Sequence, residues 1–311
     1  MKKLCNCLIL LFFIGIAYGQ NSSRENKLII NNQNRVIKRF NQLGLKTCKY
    51  ETEKCRIDYF DGGRGPVLVL LHGFGGNGSI TWRKQVKTLS KQFRLIIPDL
   101  CWFNKSYSQS QPTLEAQVEA LSALLKSIDV QEYSLAGISY GGFVSLALAS
   151  HEPKKVSKLI IIDCPGHTFN TSELHTLANK LEVKSVEDIF VPNSPEELKR
   201  LLKLASYSPV LIPKGILRQI YEVHFYNNHE QQRELLRTLE KTTSLDSVEK
   251  IGLDCAIIWG EKDEVFALSE GKKLAEALHA KFVVIKRAGH IVNLEKSKKI
   301  NKILVDLLEK K

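Results

Sequence analysis

The sequence predicts an α/β fold in which a mostly parallel central sheet is flanked by helices and carries an inserted helical cap. Continuously apolar runs, typical of strands buried on both faces, alternate with stretches whose apolar residues recur at helical spacing. This alternation is typical of parallel sheets covered by helices. One long stretch interrupts it without any strand pattern, and it is too long to be a simple connection.

Composition sets the broad class. The chain has 311 residues, of which 43% are hydrophobic and 25% charged, so it can bury a sizeable core and is not disordered. The formal net charge is +12, with the basic excess scattered as single residues and short pairs. Such a surface favours approach to anionic surfaces such as membrane headgroups. No nucleic-acid-binding module is recognisable, so no nucleic-acid partner is expected.

The first 19 residues are predicted to be a signal peptide. A short basic start, residues 1–3, precedes an apolar stretch, residues 4–17, that is short for a membrane span. The small residues Ala17 and Gly19 suit cleavage before Gln20. We therefore expect an exported protein, periplasmic or secreted, with an uncleaved N-terminal anchor as the alternative.

Export favours disulfides, and five cysteines follow the predicted signal. Two predicted strands, residues 46–50 and 54–60, flank a turn at Glu51-Thr52, which would place Cys48 directly opposite Cys55. This arrangement predicts a cross-strand disulfide between them. The remaining thiols lie at or near the ends of predicted core strands and are expected to be buried and free: Cys101, Cys164 and Cys255.

The remaining elements divide the chain into an arm, a core and a cap. Residues 20–45 predict a helical arm that packs on the core or lies on a membrane surface. Core strands are predicted at 67–71, 93–97, 133–137, 158–162, 256–259 and 281–285, and core helices at 114–128, 140–150, 269–279 and 294–308. The core thus covers 46–164 and 248–311. Residues 165–247 are predicted to form the cap over the carboxyl edge of the sheet, where open α/β sheets bind ligands.

Residues 137–141 read Gly-Ile-Ser-Tyr-Gly, a G-x-S-x-G motif between a predicted strand and a predicted helix. That context is the one a nucleophile elbow requires, because the glycines permit the cramped turn that lifts the serine hydroxyl above the sheet. The motif therefore predicts Ser139 as a nucleophile. The alternative is a glycine-rich turn whose serine has no catalytic role.

A serine nucleophile needs a base, and the base needs an acid to orient it. His290 follows the last predicted strand, at the sheet edge where Ser139 also lies. Asp263 follows the penultimate strand, which completes the chain order Ser, Asp, His. Three other acids remain open as alternatives to Asp263: Glu261, Glu264 and Asp163.

Residues 72–76, His-Gly-Phe-Gly-Gly, follow the first core strand, and such a turn can present a backbone N–H to an oxyanion. We expect the two oxyanion donors to be the N–H groups of Phe74 and Tyr140, the latter being the residue after the nucleophile. His72 is expected to brace the turn.

These motifs resemble the α/β-hydrolase fold superfamily. The matching parts appear in family order between residues 55 and 310: 71–76, Pro-Asp-Leu at 98–100, 137–142, Trp-Gly-Glu-Lys-Asp at 259–263 and Gly-His at 289–290. Within that superfamily the chain looks like the capped serine esterase and lipase group, which includes monoacylglycerol-lipase-like members. One loop departs from the pattern, since Trp102 and Asn104 stand where many relatives have glycine. We expect Trp102 and Phe103 to bind substrate in a pocket or to contact the cap.

The resemblance implies hydrolysis of carboxylic esters of lipids or other apolar acyl compounds through an acyl-enzyme, with no metal or organic cofactor. Peripheral membrane contact is a further expectation. The same triad could instead cleave thioesters or carbon–carbon bonds, and the fold could also serve as a ligand-binding receptor.

Overall fold

The computed structural model describes residues 27–168, 171–239 and 252–309. The predicted signal peptide, residues 1–19, lies outside this part of the chain. The described strands form one nine-stranded sheet. They are β1 (Leu45–Glu51), β2 (Cys55–Gly63), β3 (Val67–Leu71), β4 (Arg94–Pro98), β5 (Tyr107–Ser108), β6 (Tyr133–Ile138), β7 (Val156–Ile162), β8 (Asp254–Gly260) and β9 (Lys281–Ile285).

The strand order is β1-β2-β4-β3-β6-β7-β8-β9, with β5 paired to β2. Pairing is parallel from β4 through to β9, and β2 pairs antiparallel with β1, β4 and β5. The predicted mostly parallel sheet is thus confirmed. Its parallel strands bury both faces: in β3, Leu68 and Leu70 enter one core cluster and Val69 and Leu71 the other.

Helices cover both faces. They are α1 (Lys27–Gln42), α2 (Gly78–Trp82), α3 (Val86–Leu89), α4 (Leu114–Ser127), α5 (Tyr140–His151), α6 (Thr171–Lys180), α7 (Glu187–Phe190), α8 (Pro195–Leu204), α9 (Lys214–Tyr221), α10 (His229–Leu239), α11 (Leu268–Ala277), α12 (Val292–Glu295) and α13 (Ser297–Glu309). The predicted closing helix is therefore two helices separated at Lys296. A π-helical turn, Glu222–Tyr226, joins α9 to the chain that leads into α10.

The described part of residues 20–45, the predicted arm, includes helix α1, which packs on the core. Val36 and Phe40 are buried in the same cluster as Leu45 and Phe60. The Ile29 N–H also donates to Gln219 Oε1 of α9 at 3.3 Å. The helix therefore contacts both the sheet and the region between β7 and β8.

The predicted Cys48–Cys55 disulfide is wrong. The hairpin turns at Glu53-Lys54, where the Thr52 N–H donates to the Cys55 carbonyl at 2.8 Å, and not at Glu51-Thr52. This register places Cys48 opposite Tyr59, and both cysteines are free thiols. Thr52 fixes the turn because its Oγ1 also accepts from the Cys55 N–H at 3.1 Å.

The chain between β7 and β8 contains helices α6 to α10 and no strand among its described residues. Asp188, which is buried, links these helices. Arg233 of α10 donates to Asp188 of α7 at 2.6 Å, and Asp188 Oδ1 also accepts from Asn193 at 3.1 Å. In the described parts of the chain, no helix is both long and apolar enough to cross a membrane.

Candidate active site

Ser139 lies in the tight turn between β6 and α5. Its backbone is left-handed, with φ +54° and ψ −125°, a conformation that costs energy for a residue with a Cβ. The turn closes only because its flanking residues lack side chains. A Cβ on Gly141 would lie 2.5 Å from the Leu71 carbonyl oxygen, and one on Gly137 would lie 2.1 Å from that of Gly141.

His290 follows β9, and its Nδ1 lies 2.8 Å from Asp263 Oδ2. The Asp263 side chain is fully buried, and its other oxygen accepts from the N–H groups of Val265 (2.8 Å) and Phe266 (3.1 Å). The Phe266 ring packs edge-on against the His290 imidazole, with centroids 5.5 Å apart. The carboxylate thus sets the tautomer and orientation of His290, which leaves Nε2 as the nitrogen available to a reacting group.

The other acids that the sequence left open have different partners. Asp163 is buried after β7, where it accepts the Gly260 N–H at 2.7 Å. Burial, and secondarily the nearby Asp263 charge, raise the pKa of Asp163 well above its usual value. Glu261 accepts from the Arg287 N–H at 3.2 Å, and Glu264 is exposed. Among these four acids, the structure brings Asp263 to His290.

The predicted oxyanion turn lies against Ser139. A Cβ added to Gly73 would be only 2.9 Å from the Ser139 Cβ, so the backbone approaches the turn between β6 and α5 closely. The rings of Phe74 and Tyr140 pack edge to face at 4.9 Å. Tyr140 is the first residue of α5, so its N–H has no acceptor within the helix. Both proposed donors therefore belong to segments that flank Ser139.

His72 braces this turn, as predicted. Its Nδ1 lies 2.9 Å from the Gly73 carbonyl, and its Nε2 accepts the Leu100 N–H at 3.0 Å. Complete burial lowers the pKa of His72 to about 4, so the ring is neutral at neutral pH. A neutral ring with both nitrogens engaged has a structural role here.

Ser139 and His290 both line a cavity of about 470 Å³. Its walls are mostly apolar, and they come from the oxyanion turn on one side and from α8, α9 and the chain between them on the other. Several apolar residues predicted for the cap line it: Leu198, Leu201, Leu202, Val210, Leu211, Ile212 and Ile220. A smaller apolar crevice also reaches Ser139, bounded by Phe74, Tyr140, Phe143, Phe190 and Phe266 among others. The serine thus lies at the junction of two spaces suited to apolar groups.

Two polar residues of the cavity wall were not singled out from the sequence. His224 belongs to the π-helical turn, is 8% exposed, and has its pKa lowered to about 4 by burial. Arg83, which follows the last residue of α2, is half-buried, and its guanidinium donates to the Ile80 carbonyl. No local sequence signal marks either one, because each reaches the cavity only through the packing of its helix.

The structure corrects the expectation that Trp102 and Phe103 bind substrate, since neither side chain lines the cavity. Trp102 is 3% exposed, and its Nε1 donates to the Ser108 carbonyl at 3.3 Å. Phe103 packs edge-on against His72 and Phe74, each at 5.1 Å between centroids. Trp102 has a left-handed φ of +66°, and this backbone turn directs the loop into the core. The Trp102 carbonyl contacts the helices between β7 and β8, where it accepts from Gln232 at 3.1 Å.

Metal binding has no candidate among residues 27–168, 171–239 and 252–309, where no three His, Cys, Asp or Glu side chains are grouped as a metal ion needs.

Comparison with known proteins identifies the family. The family described as alpha/beta hydrolase fold matches residues 66–297. The chain is 27% identical to monoacylglycerol lipase ABHD6 of Bos taurus, over 79% of this chain and 76% of that protein. It is 24% identical to a 2-hydroxy-6-oxo-6-phenylhexa-2,4-dienoate hydrolase of Comamonas testosteroni, over 82% and 92%.

A solved structure extends the likeness over nearly the whole chain. A membrane phospholipase A described as a bacterial virulence factor superposes with a TM-score of 0.75 at 22% identity, covering 99% of this chain and 98% of that one. At that identity the likeness concerns the fold. The chain belongs to the α/β-hydrolase fold family and is a hydrolase of its lipase- and esterase-like members, related also to meta-cleavage product hydrolases.

Proposed function

We propose that this protein is a serine hydrolase that cleaves carboxylic esters of lipids or other apolar acyl compounds. One observation carries the proposal: a serine in a left-handed elbow and a histidine held by a buried aspartate at 2.8 Å line the same apolar cavity. Nucleophile, base and orienting acid are the three parts that activated serine chemistry requires.

The proposed mechanism proceeds through an acyl-enzyme. His290 Nε2 takes the Ser139 hydroxyl proton as Oγ attacks the ester carbonyl carbon, and Asp263 stabilises the imidazolium. The N–H groups of Phe74 and Tyr140 hold the oxyanion of the tetrahedral intermediate. His290 then protonates the departing alcohol, and the acyl group stays on Ser139. Water, deprotonated by His290, attacks the acyl carbon and releases the acid, which restores the serine.

The substrate assignment rests on the cavity and the relatives. The chain between β7 and β8 supplies one wall, and we propose that residues 165–247 act as a cap over the site. Its leucines and isoleucines suit an acyl chain, because pockets for apolar ligands combine such walls with a few polar groups. A relative is named monoacylglycerol lipase, and the substrate in that name is a lipid ester.

Location and membrane contact are part of the same proposal. We propose export after cleavage of residues 1–19, with an uncleaved anchor as the alternative, since the basic start and short apolar stretch suit both. The net charge of +12 favours peripheral contact with anionic lipid surfaces.

Carbon–carbon hydrolysis is the second candidate, because a relative named as a dienoate hydrolase matches 82% of the chain. Such a substrate carries a carboxylate, and the charged residues that line the cavity, Arg83, Lys199 and Lys203, are all cationic. A thioester substrate and a non-catalytic ligand-binding receptor remain further alternatives on the same fold.

The test is hydrolysis of p-nitrophenyl esters from acetate to palmitate by the protein and by Ser139→Ala. We expect the variant to lose at least about 10³-fold in kcat with its fold retained, because removing the nucleophile leaves only binding and oxyanion stabilisation. Equal activity in both proteins would overturn the serine mechanism. Inactivity on every ester, together with turnover of a dienoate, would favour the second candidate.

A further inference from the structure

Two thiols at one end of the sheet are close neighbours. Cys55 is the first residue of β2, Cys101 lies three residues beyond the end of β4, and their Sγ atoms are 4.0 Å apart. Strands β2 and β4 pair antiparallel, and the Asp99 N–H extends the pairing by donating to the Asp58 carbonyl at 2.9 Å. We propose that Cys55 and Cys101 form a disulfide that ties β2 to the loop after β4.

The backbone already holds the two cysteines in position. The Cys101 N–H donates to Gln117 Oε1 at 3.0 Å, and its carbonyl accepts from Gln117 Nε2 at 2.9 Å. Cys55 is fixed by the Thr52 turn and by pairing with Ser108 of β5. A disulfide requires Sγ atoms about 2 Å apart, so rotation of the side chains must close roughly 2 Å.

The remaining described cysteines have other surroundings. Cys48 lies on the outer strand β1 opposite Tyr59, with its Sγ 3.8 Å from the Lys46 carbonyl. Cys164 is buried against α5, where a Cβ on Gly142 would lie 2.5 Å from the Cys164 Cβ. Cys255 lies on β8, two strands beyond β6. The pair at 4.0 Å therefore defines the site.

The two thiols have different roles in forming the disulfide. Cys55 is half-buried, and the hydrogen bond from the Cys101 thiol lowers the pKa of Cys55, which makes it the attacking thiolate. It attacks one sulfur of a disulfide oxidant such as glutathione disulfide and releases one glutathione thiolate. Cys101 then loses its proton and attacks Cys55 Sγ, which expels the second glutathione. The two cysteines give up two electrons and two protons, and the oxidant becomes two glutathione molecules.

The bond would anchor a strained loop beside the candidate active site. Residues 101–106 include Trp102 and Asn104, with left-handed φ values of +66° and +54°. Phe103, in the same loop, packs on Phe74 of the oxyanion turn. A covalent link at Cys101 restrains the loop at its first residue. This loop should therefore unfold at a higher temperature in the oxidised protein than in the reduced protein.

The test compares oxidised and reduced full-length protein. Protein purified under reducing conditions is incubated with glutathione disulfide, alkylated with N-ethylmaleimide, digested without reductant and examined by mass spectrometry. We expect a peptide carrying Cys55 linked to one carrying Cys101, and two fewer alkylated cysteines than in the reduced sample. The Tm of the oxidised form should be higher by about 5 °C, and reduction should reverse this gain.

Variants make the result specific. Cys55→Ser, at a half-buried position, should abolish both the linked peptide and the Tm gain, whereas Cys48→Ser should keep both. The proposal fails if, after prolonged oxidation, Cys55 still reacts with N-ethylmaleimide or is found only as a glutathione adduct. It also fails if Cys55 is found linked to Cys48. Neither result depends on ester hydrolysis, so this test stands apart from that of the proposed function.

Discussion

Two aspartates follow neighbouring strands, and their surroundings assign them different roles. Asp263 faces His290 Nδ1 at 2.8 Å and accepts two backbone N–H groups with its other oxygen. Asp163 is buried and accepts one N–H, from Gly260, and its pKa is raised by burial and by the charge of Asp263. Burial therefore favours the neutral form of Asp163, and Asp263 is the acid that contacts His290.

We expect Asp263→Asn to lower kcat by about 10⁴-fold, because an amide holds His290 in the wrong tautomer without disturbing the packing. Asp163→Asn is the matched control, since an amide of the same shape replaces a buried acid whose hydrogen bond is to Gly260, and it should retain kcat within about tenfold. Both are measured on the p-nitrophenyl ester that the protein cleaves best, with circular dichroism as the check of folding. Equal losses in the two variants would contradict the assignment.

His224 makes stability depend on pH. Burial lowers its pKa in the folded protein from the usual 6.5 to about 4, so between these values the unfolded chain binds a proton that the folded one does not. The contribution of His224 to the free energy of unfolding is therefore complete above pH 6.5, and it is lost as the pH falls from 6.5 to about 4. At pH 5 the loss amounts to about 2 kcal/mol.

His224→Phe should therefore reduce the fall in the free energy of unfolding between pH 7.5 and pH 5 by about 2 kcal/mol. Urea denaturation of both proteins at each pH measures it. The comparison uses the difference between two pH values, so any constant cost of packing the new ring cancels. If the free energy of unfolding falls equally with pH in the two proteins, His224 is protonated or solvated in the folded state.

At the scale of elements, the sheet and its elbow could be predicted because their signals are local. The G-x-S-x-G run fixed the β6–α5 turn, since Gly137 and Gly141 occupy positions where a Cβ would collide with backbone oxygen. Apolar runs similarly predicted the core strands to within one or two residues. These features depend on a few adjacent residues, which a sequence displays directly.

Features that depend on register or on distant packing could not be predicted. The hairpin register differs from the predicted one because Thr52 Oγ1 accepts the Cys55 N–H. This side-chain contact competes with the turn expected two residues earlier. Trp102 and Asn104 replace glycine yet keep left-handed backbones, and Asn104 is secured by a hydrogen bond to Asp99 at 2.6 Å. The sequence revealed the substitution, but not that the loop would keep this conformation and bury both aromatic rings.

At the scale of the whole molecule, the cavity unites parts of the chain that lie far apart in sequence. Ser139 and His290 stand on the sheet edge, and the opposite wall comes from helices between β7 and β8. The size of the space is thus set by side chains that take no part in the chemistry. Leu202 of α8 is one of them, and it is half-buried on the cavity wall.

Leu202→Trp should shorten the preferred acyl chain. The larger indole fills part of the cavity, so kcat/KM for long esters should fall by about tenfold or more, whereas acetate, which needs only the space next to Ser139, should stay within about threefold. Leu308→Trp, a half-buried position of α13 outside the cavity wall, is the matched control and should leave the chain-length profile unchanged. The measurement is the p-nitrophenyl ester series on all three proteins. A uniform loss across the series would mean that α8 supports the fold of the site without contacting the acyl chain. An unchanged profile would mean that the acyl chain does not reach Leu202.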